Sequence, residues 1–94
     1  MDELLLILTP RDVERALAER LREARRARGF TQAELASRSG VSVATIARLE
    51  RSGQGQLSSF VRLCAALDRL DDFQALLKPT PPRSMDELRR LSGP

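Results

Sequence analysis

Fifteen of the sixteen cationic side chains in this sequence are arginines, Lys78 being the exception. A guanidinium offers a planar fork of N–H donors that fits a phosphate or a guanine edge two bonds at a time, which an ammonium cannot do. Ten of these cations fall within residues 11–51, against six Asp or Glu, whereas residues 1–10 and 52–77 are net negative. The formal net charge of the whole chain is only +3, so the block and not the total points to a polyanionic partner.

Other chemistry is excluded by inventory. The 94 residues contain no His, Trp or Tyr and one cysteine, Cys64. A Ser-His-Asp triad, a Cys-His pair, a disulfide framework and a multi-Cys/His zinc site therefore cannot be built, and neither an enzyme nor a metal or cofactor protein is expected. Asp68, Asp71 and Asp72 could be taken for a carboxylate cluster, but capping of a helix accounts for Asp71 and Asp72. Gly53 and Gly55 superficially resemble a nucleotide loop, yet no GK[ST] follows and no strand precedes. Cys64 sits at a helical-stripe position and reads as a small buried hydrophobe.

The arginines must be positioned by a single small domain, since 94 residues leave no room for a second core, and 41% apolar with 31% charged residues suits a modest core under a solvated surface. Thr9-Pro10 announces a first helix by N-cap and first-turn proline. Val13, Leu17, Leu21 and Ala24 place one face of it inward, with Asp12–Arg15, Glu19–Arg22 and Glu23–Arg26 spaced as pairs on the other, up to about Arg28 and the stop at Gly29. In Phe30-Thr31-Gln32-Ala33-Glu34-Leu35, Thr31 and Glu34 form a capping box and Phe30 and Leu35 a hydrophobic staple, so a second helix starts here. Ser39-Gly40 ends it after about two turns. Val41, Ser42 and Ile46 repeat the staple and cap for a third helix, about Val43 to Arg51.

Two short capped helices joined by so tight a break must cross steeply, which is a helix-turn-helix. With Ile46 and Leu49 inward, Ala44, Thr45, Arg48 and Arg51 face out. A fourth helix covers about Gln56 to Arg69 and a short fifth Asp71 to Leu77; Pro79, Pro81 and Pro82 then end regular structure, with one last capped turn or two at Met85 to Leu91. The expected organisation is thus residues 1–9 as an apolar N-terminal segment, 10–77 as an all-α domain and 78–94 as a Pro-rich tail. Leu4 to Leu8 is far shorter than the roughly 20 residues of a membrane span and follows acidic residues, so the chain reads as cytoplasmic without membrane attachment. That run should be covered, either as a short strand paired with a second copy or by packing under helices 1 and 5. Leu70, Phe73, Leu76 and Leu77 offer a second dimer surface; Phe30, Phe60 and Phe73 read as core or interface filler.

Residues Gln32 to Arg51 resemble the twenty-residue helix-turn-helix of Xre-type regulators and lambdoid phage repressors: small Ala36 where the helices touch, Gly40 at the turn, and apolar Val41, Ile46 and Leu49 facing the core. The resemblance spans about residues 11 to 77 and implies a five-helix, phage-repressor-like DNA-binding domain. It implies that Ser42, Val43, Ala44, Thr45 and Arg48 meet bases, Arg48 reading guanine and Val43, Ala44 or the Thr45 methyl meeting thymine methyls. It also implies that Gln32, Arg51, Gln54 and the backbone at Gly55 meet phosphates, with Gly53 and Gly55 letting the backbone approach DNA, and that Arg25 and Glu50 form a structural ion pair joining helices 1 and 3. A homodimer on an inverted repeat of double-stranded DNA, acting as a repressor, follows from the same likeness, with half-sites about 34 Å apart. The Thr-Pro start, the glycine-rich loop and the Pro-rich tail resemble small HipB-like antitoxins, which implies autoregulation and a kinase-like toxin as partner of residues 78–94. Apolar Val43 and Ala44 on the reading face favour the rival expectation, a protein-interaction module on the same scaffold.

Overall fold

A computed structural model describes residues 9–79 and 89–90. Four α-helices carry the domain, α1 (Pro10–Ala27), α2 (Gln32–Ser39), α3 (Val43–Ser52) and α4 (Leu57–Ala66), followed by a 3-10 helix at Leu70–Phe73. There is no strand among the described residues; the expected strand over Leu4 to Leu8 lies outside them. Of the expected turn at Met85 to Leu91, Arg89 and Arg90 are helical and exposed and the rest lies outside the described residues.

Each boundary has a local cause. Thr9, in extended conformation, accepts a bond from the Asp12 N–H at 3.1 Å, and Pro10 opens α1. The Thr31–Glu34 capping box is complete: the Glu34 N–H donates to Thr31 Oγ1 at 3.0 Å and the Thr31 N–H to Glu34 Oε1 at 3.1 Å. Gly40 ends α2 in the left-handed region at φ 77°, and Ser42 caps α3 by accepting from the Thr45 N–H at 3.1 Å.

Leu35, Ile46 and Leu63, from α2, α3 and α4, are wholly buried and meet with Leu21, Val41, Leu49 and Leu67 in one core. Burying each such side chain stabilises the fold by about 1.5–3 kcal/mol. The buried positions of α1 differ from the expected stripe. Ala16, Ala18, Leu21 and Arg25 are buried, whereas Val13, Leu17 and Ala24 are half-buried. Arg25 turns inward to reach Glu50, whereas polarity patterning assigns an arginine to the outer face. Cys64 is buried, and burial pushes its thiol up, away from the reactive thiolate.

The expected fifth α-helix is replaced by the 3-10 turn. Helix α4 stops at Ala66, three residues earlier than its apolar spacing predicts, because Asp68 adopts φ 60° and the Arg69 N–H closes back on the Cys64 carbonyl at 2.8 Å. The chain then makes i to i−3 bonds, Gln74 N–H to the Asp71 carbonyl and Leu76 N–H to the Phe73 carbonyl, both at 3.1 Å. Asp72 does not cap a helix; it pairs with Arg69 at 2.7 Å. The edge-to-face contact of Phe73 with Phe60, centroids 6.2 Å apart, holds the turn on α4.

Candidate nucleic-acid interface

Helix α3 is anchored by one side and bare on the other. Ile46, Leu49 and Glu50 are at most 4% exposed, while Ser42, Ala44, Arg48 and Arg51 are exposed and Val43 is 44% exposed. Thr45 is half-buried and its Oγ1 accepts from the Ser42 hydroxyl at 2.9 Å, so the base-contact candidate nearest the core has its hydroxyl already engaged. Ten helical residues make a rod of about 15 Å, and a B-form major groove is about 12 Å wide. The projecting face carries one long cation, Arg48, between two short apolar side chains, Val43 and Ala44, near its start and Arg51 near its end. Such a face can meet a guanine edge and thymine methyls; it holds no amide that would read adenine.

The orientation of α3 is fixed from beneath. Arg25 donates to both Glu50 oxygens, Nε to Oε2 at 2.7 Å and Nη2 to Oε1 at 2.9 Å, and its Nη1 donates to the Phe30 carbonyl at 2.7 Å. One buried side chain thus ties α1 to α3 and to the start of α2. Burial pushes the Glu50 carboxyl up, but the hydrogen bonds from Arg25 and Gln32 and the charges of Arg25 and Arg22 outweigh it and leave the group below the ordinary carboxylate range.

The candidate phosphate contacts are dispersed around this anchor. Gln32, first residue of α2, is half-buried and spends one amide N–H on Glu50 Oε1 at 3.2 Å. Gln54 is exposed, though its backbone N–H donates to Ser52 Oγ at 3.3 Å. The glycines also answer to packing within the protein. A Cβ on Gly53, at φ 74°, would strike the Glu14 backbone carbonyl, and one on Gly55 would come within 2.7 Å of the Leu49 side chain. Both permit close approach inside the protein, of α3 to α1 and of the loop to the core.

Two contributors were not foreseen. Arg22, spaced to pair with Glu19, has its Nε 3.8 Å from Glu50 Oε1. It stands three residues before Arg25, one turn along the same helix, which is the spacing that could have revealed it. Arg11 donates to the Ser52 carbonyl at 3.4 Å, joining the start of α1 to the end of α3, and has no sequence signal.

Residues 16–77 match the family model of a helix-turn-helix domain. The chain belongs to that family. Comparison with curated proteins returns no match. The match covers α2 and α3 as the helix-turn-helix pair with the later part of α1, α4 and the 3-10 turn around them, and membership supports DNA as a partner and a DNA-binding regulator as the class of protein. Among the described residues of this helix-turn-helix domain, no helix is long and apolar enough to cross a membrane.

Proposed function

We propose that the protein is a sequence-specific transcriptional repressor that binds double-stranded DNA as a homodimer on an inverted repeat, with α3 in the major groove. The observation that carries this reading is the bare outer face of α3, Ser42 to Arg51, on a helix whose other face is locked to the core and to Arg25. Arg48 reads a guanine, Val43, Ala44 and the Thr45 methyl meet thymine methyls, and Ser42 lies beside them. Gln32, Arg51, Gln54 and the backbone near Gly55 contact phosphates. Exposed Leu70, Leu76 and Leu77, the last 94% exposed, supply apolar surface for the second copy. The HipB-like traits in the sequence support a place in an autoregulated toxin-antitoxin pair, in the cytoplasm, with residues 78–94 as the segment that holds a kinase-like toxin.

The exposed apolar pair Val43 and Ala44 favours a second reading, a protein-interaction module that binds no DNA. Arg48→Ala separates the two. On a duplex enriched by the wild-type protein, the variant should lose about 1–3 kcal/mol of affinity and accept any base pair where the guanine stood. Equal affinity of variant and wild type for that duplex, measured by titration at one salt concentration, contradicts the assignment.

A further inference from the structure

Glu50 is surrounded by more positive charge than one carboxylate can neutralise. Arg25 occupies both of its oxygens from within, with only 10% of its side chain exposed. Arg22 also approaches, its Nε 3.8 Å from Oε1, the same oxygen that accepts from the Gln32 amide at 3.2 Å. The Arg22 side chain is 45% exposed. Two guanidiniums and one carboxylate leave a surplus positive charge at the surface where α1 meets the first residue of α2. Because Arg22 Nε and Gln32 Nε2 converge on one oxygen, they lie at most about 7 Å apart, a span that one phosphate group and its oxygens can bridge. A half-exposed contact at 3.8 Å is weak, so Arg22 can leave Glu50 at small cost while Arg25 keeps the carboxylate neutralised.

We propose that Arg22 is a phosphate-binding residue: on the duplex its guanidinium and the Gln32 amide grip one backbone phosphate, so that the footprint reaches the first helix. The proposal rests on the DNA-binding reading above and adds to it a contact from α1. A phosphate contact carries no sequence information, so its loss weakens binding alike on every duplex and lowers the salt dependence by one counterion-releasing contact for each protomer of the dimer.

The test compares wild type, Arg22→Gln and Arg22→Lys on random-sequence duplexes of about two helical turns, titrated across a series of salt concentrations. Arg22→Gln should shrink the slope of log affinity against log salt by about 0.9 for each protomer, hence by about 1.8 for the bound dimer, with the melting midpoint within about 3 °C of wild type because the core pair is untouched. Arg22→Lys, which keeps the charge, should retain the wild-type slope. A wild-type slope in Arg22→Gln overturns the role of Arg22 alone. Wild-type protein that shows no salt-dependent affinity for duplex overturns the DNA-binding reading together with it.

Discussion

Replacing Arg25 with Met should destabilise the domain by about 3–5 kcal/mol, the usual cost of stranding one member of a buried ion pair. Glu50 would remain 4% exposed without its bidentate partner, and the Phe30 carbonyl would lose its donor. For a domain of this size, each kcal/mol corresponds to roughly 4–8 °C, so thermal unfolding should shift down by more than about 12 °C. The double variant Arg25→Met, Glu50→Leu should recover much of that loss, since it removes the stranded charge along with its partner. The difference between wild type and Arg25→Met also depends on pH. The folded Glu50 carboxyl titrates below its unfolded value, so its contribution is complete above about pH 4.3 and drains as pH falls through the folded value. Acid therefore narrows the gap. An Arg25→Met protein that melts with wild type and yet fails to bind duplex would make Arg25 a DNA contact and not a structural one.

Gly53→Ala is expected to be nearly as damaging, at roughly 2–5 kcal/mol. A non-glycine residue at φ 74° costs about 1–2 kcal/mol. Driving a methyl group against the Glu14 carbonyl adds about 1–3 kcal/mol as α1 is forced away from α3. Gly40→Ala is the internal control, because Gly40 has φ 77° but no atom within 4 Å of the added Cβ. The control should pay only the conformational part. Urea unfolding of the two variants measures the difference, and equal losses would contradict the packing role assigned to Gly53.

These two positions mark the limits of what sequence reveals. Thr31 with Glu34, Ser42 and Gly40 are local devices, complete within four residues, and the helix starts and stops they encode stand where the sequence places them. Gly53 and Gly55 answer to Glu14 and Leu49, partners that no local pattern names, so their sequence reading went to an external ligand. The inward turn of Arg25 is likewise invisible to polarity, which assigns arginine to solvent; only the family likeness pointed to it. The end of α4 depends on Asp68 and the loop before the tail on Leu77, both non-glycine residues at positive φ; aspartate tolerates that region better than most types but also fits a helix, and leucine gives no signal of it. Apolar spacing at Leu70, Phe73, Leu76 and Leu77 fits i to i+3 contacts as well as i to i+4, which is why an α-helix was expected where a 3-10 turn stands. The outward face of α3 was legible because Ile46 and Leu49 define the inward one.

The central claim is that α3 reads the major groove of DNA in a symmetric pair. Selection from a pool of random duplexes by the full chain tests it most directly. An enriched inverted repeat, with half-sites centred about 10 base pairs apart and a guanine recurring within each, is the predicted result. A folded protein that leaves the pool unenriched, or enriches a sequence without two-fold symmetry that is bound equally well after Arg48→Ala, would contradict it.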